Sequence, residues 1–131
     1  MRFAYNDRFD PSEFNIKFDY IISHSILSHA AYWQLPLFIE NVSRSIKKGT
    51  KILASLHFTE GNIYGDRGYS GTELDFKEWI YPYVSYFRKE TIENVAKQYG
   101  YKLTINDFVP AMLITRAHPA ANHSWVILEK Q

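Results

Sequence analysis

Apolar residues in this chain fall into two patterns. Phe18-Asp19-Tyr20-Ile21-Ile22-Ser23 is a short and nearly continuous apolar run, as expected of a strand buried on both faces. The polar burst Ser23-His24-Ser25 ends it. Leu35, Phe38, Ile39, Val42 and Ile46 then recur at helical spacing, and Pro36 fits such a helix only in its first turn. Lys47-Lys48-Gly49 predicts the helix end, with two cations at the negative pole of the dipole and glycine as the left-handed cap. Lys51-Ile52-Leu53-Ala54-Ser55-Leu56-His57-Phe58 reads as a second buried strand. Strand, helix and strand in about forty residues form a βαβ unit, which predicts a parallel sheet.

Residues 59 to 82 carry Gly61, Gly65, Gly68 and Gly71 among Tyr, Asp and Trp, the composition of a long functional loop. Within it, Ser70 and Glu73 have the spacing of a capping box for a short helix through Trp79. Tyr83 to Phe87 reads as extended. From Lys89, apolar Ile92, Val95, Ala96 and Tyr99 recur at i, i+3, i+4 and i+7, and Gly100 closes that helix. Tyr101 to Val109 and Ser124 to Glu129 are the last strands. Pro110 and Pro119 argue against a continuous element between them.

Composition narrows the class. A chain of 131 residues, 46% apolar and 22% charged, is one domain with enough apolar material for a core. Fifteen Lys and Arg against fourteen Asp and Glu give a net charge of +1 with no basic stripe, so nucleic acid is not an expected partner. With no cysteine, disulfides, thiolate metal sites and cysteine nucleophiles are excluded. No apolar stretch has the length of a signal peptide or of a membrane span of roughly 20 residues, so a cytoplasmic protein without a membrane partner is expected.

Candidate chemistry centres on histidine. In open α/β sheets ligands bind beyond the carboxyl ends of parallel strands, and His24 and His57 lie at those ends of the two predicted strands. They should face one crevice, as general bases or as hydrogen-bonding groups. His24 and His29 are five apart, which places no metal pair on one helix face, and no H-E-x-x-H occurs, so no metal is expected. The glycines of Gly65-Asp66-Arg67-Gly68 are three apart and distant from a strand end, unlike a phosphate-binding fingerprint. Without a G-x-S-x-G elbow, serine hydrolysis is also disfavoured. Trp79-Ile80-Tyr81-Pro82-Tyr83-Val84-Ser85-Tyr86 reads first as core packing with a proline turn, and second as an aromatic pocket wall.

Residues 18 to 29, Phe18-Asp19-Tyr20-Ile21-Ile22-Ser23-His24-Ser25-Ile26-Leu27-Ser28-His29, resemble the fourth-strand motif of class I S-adenosylmethionine-dependent methyltransferases, close to F-D-x-I-x-S-x-S-V-L-E-H. Ser43-Arg44-Ser45-Ile46-Lys47-Lys48-Gly49 before Lys51-Ile52-Leu53 is similar to that family's helix end and fifth strand. Gly100-Tyr101 resembles the end of its last helix, and His118-Pro119 with His123-Ser124-Trp125 resembles the HP and W ending of some branches. The similarity runs over about residues 14 to 130. Ser28 stands where the motif has glutamate.

The resemblance implies a three-layer partial Rossmann-like α/β sheet, strands equivalent to 4-5-7-6, flanked by helices. It implies one domain over residues 1–131 that lacks the glycine-rich N-terminal half, about 90 residues at roughly 30 per βα unit. The implied activity is methyl transfer from S-adenosylmethionine to a small acceptor. Ser23, His24 and Ser25 would line the cofactor, which should bind weakly or not at all to this chain alone. His29 and His57 are the implied catalytic residues, and Tyr64, Trp79 and His118 the implied acceptor contacts. The alternative is a non-catalytic methyltransferase-like module completed by a partner or by homodimerisation. The family's 3-2-1-4-5-7-6 order would leave Phe18 to Ser23 as an apolar edge, to be covered by pairing, most simply in a two-fold dimer, or by Arg2-Phe3-Ala4-Tyr5.

Overall fold

The computed structural model describes residues 2–3, 6–58, 63–64, 84–106 and 123–131, with backbone alone at 63–64. Its elements are β1 (Phe18–Ser23), α1 (Gln34–Ser43), β2 (Ile46–Phe58), β3 (Ile63–Tyr64), β4 (Ser85–Phe87), α2 (Lys89–Gln98), β5 (Tyr101–Asn106) and β6 (Ser124–Lys130). β2 organises them. It pairs in parallel with β1 and antiparallel with β6, and β6 pairs antiparallel with β5. The resulting order, β1-β2-β6-β5, is the 4-5-7-6 arrangement expected from the sequence. Two short strands extend it, because the end of β2 pairs in parallel with β4, which pairs antiparallel with β3. The dipeptide Ile63–Tyr64, read from sequence as loop, therefore joins the sheet.

Register separates the two faces. Ile52, Ala54 and Leu56 of β2 stand beside Ile21 and Ser23 of β1 and opposite Leu128, Val126 and Ser124 of β6. With Leu35, Phe38, Ile39 and Val42 of α1 and Ile92, Val95 and Ala96 of α2, these apolar residues form the core. Both helices lie on this face and touch each other. The other face carries Tyr20 and Ile22 of β1, Leu53, Ser55 and His57 of β2, and Trp125 and Ile127 of β6.

Two expectations are corrected here. β2 is buried on both faces over its second half, but β1 is not, since Tyr20 is 65% and Ile22 70% exposed. The run of apolar residues in β1 marks a strand with one face open. The helix also stops at Ser43, and Lys47-Lys48-Gly49 lies inside β2. There the register jumps, from Phe18 beside Ile46 to Tyr20 beside Lys51, and Gly49 takes a φ of 83° in the extra turn of chain. Thr50 fixes that bulge by donating to the Phe18 carbonyl at 2.7 Å and accepting from the Lys47 amide at 3.2 Å. The left-handed glycine serves a strand bulge, not a helix cap.

Pro36 falls in the first turn of α1, and Gln34 turns back to accept the Ala31 amide at 2.8 Å, satisfying one donor of the helix entry. α2 follows its predicted periodicity, and Gly100, with φ 72°, ends it. Replacing Gly100 by alanine meets nothing closer than the Lys130 ammonium at 3.8 Å, so its cost is conformational, about 1 kcal/mol by urea denaturation. A loss above about 3 kcal/mol would mean that the backbone there is held by more than a cap. Tyr101, next in sequence, is buried and shares a 2.6 Å hydrogen bond with the Ser43 hydroxyl, tying β5 to the end of α1.

Among the described residues before β1, none covers its edge as a strand. Arg2 and Phe3 form no strand, and Phe3 is 86% exposed, while Ala4 and Tyr5 lie outside the described residues. Residues 6–14 instead fold against α1. Asn41 donates to the Arg8 carbonyl at 2.7 Å, the Phe9 ring meets Phe38 edge-on at 5.7 Å, and Asp10 caps the turn Pro11–Phe14 through the Ser12 amide. Among the described strands, β1 pairs with β2 alone.

Candidate active site

Four histidines converge where β1 and β2 end and β6 begins. Because β6 runs antiparallel to β2, its first residues return to the carboxyl end of the parallel pair. His24 follows β1, His29 ends the 3₁₀ turn Leu27–His29, His57 is the penultimate residue of β2, and His123 immediately precedes β6. His123 is the hub. Its ring lies edge-on to His57 at 4.3 Å between centroids and tilted to His24 at 5.8 Å. His24 stacks on the Trp125 indole at 5.5 Å and 8°, and His57 packs against Tyr86 of β4 at 5.2 Å. The rings of His24 and His57 both contact that of His123, which lies between them.

Ser55 holds this arrangement from beneath. Its fully buried hydroxyl accepts the Ser25 amide at 2.7 Å and bonds Nδ1 of His123 at 3.0 Å. Ser25 has a φ of 56°, a left-handed conformation that costs roughly 1–2 kcal/mol in a residue with a side chain. The bond to Ser55 offsets part of that cost, and the sharp turn after β1 follows. Ser23, two residues earlier, is buried with a hydroxyl that has no hydrogen-bond partner among the described residues. It also lines a cavity of about 600 Å³ along the free edge of β1, with Phe9, Phe14, Phe18, Ile22 and Phe38 among its walls.

Burial holds the His123 imidazole below its ordinary pKa of 6.5, and the positive charges that His24 and His29 gain on protonation push it the same way. A depressed imidazole binds fewer protons folded than unfolded. Its contribution to stability is therefore complete above 6.5 and is lost as pH falls through the lower folded value. His123→Gln should flatten the decline of the urea midpoint over that acidic interval; an unchanged slope would contradict the assignment. Among the described residues, no group of three or more His, Asp or Glu is placed to hold a metal ion.

Of the sequence-predicted residues, His24, His29, His57 and Ser25 gather around His123 and Ser55, and Ser23 is the last residue of β1, just before them. Tyr64 is placed only by its backbone pairing with Ser85, and Trp79 and His118 lie outside the described residues. Sequence reasoning missed Ser55 as a site residue, noted His123 and Trp125 only within a motif, and reached Tyr86 only as the end of an aromatic segment read first as core packing. Their signal was positional. Ser55 and His57 share a strand face, and Trp125 stands opposite Ser55 across the ladder.

No protein-family model matches the sequence, and no curated protein does. Solved structures do match. A SAM-dependent methyltransferase from Methanosarcina mazei aligns with a TM-score of 0.57 and 13% identity, over 87% of this chain and 59% of its own. TnmH aligns with a TM-score of 0.62 and 18% identity, over 98% of this chain and 34% of its own. The pyocyanin biosynthetic protein PhzM aligns with a TM-score of 0.53 and 8% identity, over 88% of this chain and 31% of its own. At these identities the likeness is one of fold, and this chain spans less than two thirds of each neighbour.

Proposed function

We propose that this chain takes part in methyl transfer from S-adenosylmethionine to a small acceptor, supplying the acceptor side and the Ser23–Ser25 end of the cofactor side. The carrying observation is the convergence of His24, His29, His57 and His123 beyond the carboxyl ends of β1 and β2, in a sheet shared with a SAM-dependent methyltransferase. The residues present fit the cofactor in one respect. Ser23 offers a buried hydroxyl with no partner, and a polar ligand group at the end of β1 would satisfy it.

When bound, S-adenosylmethionine supplies an electrophilic methyl group. The chain's own task is then positioning in a dry crevice and removal of the acceptor's proton. His57, buried at the end of β2, and His29, on the turn after β1, are the groups we assign to the proton. Trp125 and Tyr86 provide flat apolar walls for an acceptor, and Tyr64, Trp79 and His118 remain our further acceptor contacts. Titration of ¹⁵N-labelled chain with S-adenosylmethionine tests this reading. Shifts confined to Ser23, His24, Ser25 and their neighbours, with a Kd below about 1 mM, support it. No shift at millimolar cofactor would overturn it.

A second reading is favoured by β1: a non-catalytic module that another surface completes. Tyr20 and Ile22 are exposed on a strand paired on one side, beside an apolar cavity. Such an edge is a template for pairing. We propose a two-fold dimer through β1, which serves either reading. Light scattering should give a dimer mass at tens of micromolar, and a monodisperse monomer there would sink it.

A further inference from the structure

Ser55 bonds one of the two ring nitrogens of His123. Its hydroxyl has one proton to give, and it is fully buried with two partners, the Ser25 amide and Nδ1 of His123. The Ser25 amide can only donate. If Nδ1 of His123 also donated, the hydroxyl would accept twice and its own proton would meet no acceptor recorded among the described residues. A buried donor left unmet is costly and rare in folded proteins. If Ser55 instead donates to Nδ1, every group in the chain of three is satisfied, and the imidazole proton sits on Nε2.

We propose that Ser55 fixes His123 as the neutral Nε2–H tautomer, making His123 a hydrogen-bond donor to an acceptor oxygen of the crevice ligand, such as a carbonyl, carboxylate or phenolate. Ser55 is the positioning residue, acting through His123 and, by its bond to the Ser25 amide, through the left-handed turn after β1. The hydrogen bond recorded for His123 among the described residues runs through Nδ1, and the rings of His24 and His57 flank its imidazole. One consequence is chemical. With its proton on Nε2 and its other nitrogen occupied, His123 cannot take the acceptor's proton, which leaves that role to His29 or His57.

The titratable groups around His123 are His24 and His29 from the turn after β1 and His57 from β2, and burial with its neighbours keeps His123 neutral above the ordinary histidine range. The inference rests on the reading of this crevice as the acceptor site for its ligand, but its test does not. In ¹⁵N-histidine-labelled full chain, about one pH unit above the ordinary histidine value, long-range ¹H–¹⁵N correlation spectra should show His123 protonated on Nε2 alone. In Ser55→Ala the Nδ1–H form should appear, and the Ser25 amide should exchange at least about tenfold faster. Acetate, as probe of the donor role, should shift the His123 Nε2 signal saturably. A proton on Nδ1 in the wild type overturns the proposal whatever the variant does. An unchanged tautomer and Ser25 exchange in Ser55→Ala, or no acetate shift at about 0.1 M, also overturn it. Failure here leaves methyl transfer standing, and failure to bind S-adenosylmethionine leaves the tautomer standing.

Discussion

Leu56→Ala should lower the unfolding free energy by about 3–5 kcal/mol. Leu56 is fully buried on the core face of β2, in line with Ile52 and Ala54 and beneath the helices. Truncation removes the transfer energy of its methyl groups and leaves a cavity that strands hydrogen-bonded on both sides close only in part. Against a total stability of roughly 5–15 kcal/mol, such a loss is a large fraction of the whole. The urea midpoint should fall with little change in slope. A loss below about 1 kcal/mol would show that β2 is not the axis of the core.

Ile22→Lys should do the opposite. Ile22 sits on the neighbouring strand in an equally apolar run, yet it is 70% exposed, so the chain should unfold within about 0.5 kcal/mol of the parent. Association should suffer instead. Two-fold pairing through β1 would lay the exposed Tyr20 and Ile22 along the seam, and a lysine at 22 brings into it a charge that must be desolvated. Dimerisation should weaken by at least about a hundredfold, read by analytical ultracentrifugation. An unchanged dimer would place the interface elsewhere. A large loss of stability would mean that this face of β1 is buried within the chain itself.

The contrast between Leu56 and Ile22 also shows what local sequence can carry. Both strands read as continuous apolar runs, and such a run does not distinguish a strand covered on both faces from one whose second face is open. Exposure of Tyr20 and Ile22 depends on what lies beside β1, which no pattern within residues 18–23 encodes. α2 was legible because its information is local, in the spacing of Ile92, Val95 and Ala96 and in Gly100 at the cap. Lys47-Lys48-Gly49 misled for a related reason. A glycine with positive φ looks the same in a helix cap and in a strand bulge, and the deciding contact, Thr50 to the Phe18 carbonyl, spans 32 residues.

The site divides along the same line. His24 and His57 were found because strand ends are local and the crevice rule is general. Ser55 lies within an apolar run and reads as a small core filler until β6 brings His123, 68 residues away, to its hydroxyl. That contact needs the 4-5-7-6 order, which puts the start of the last strand beside the end of β2. The resemblance supplied the order, and the register of β2 with β6 supplied the pair.

The central claim is that the end of β1 belongs to a cofactor-binding crevice. Its most direct test is the S-adenosylmethionine titration of the labelled chain, followed at Ser23, His24 and Ser25. The account predicts saturable shifts at those amides and at the His24 ring, with a Kd below about 1 mM that weakens at least about tenfold in Ser23→Val. Shifts absent at millimolar cofactor, or scattered over the sheet without focus at the end of β1, would contradict it.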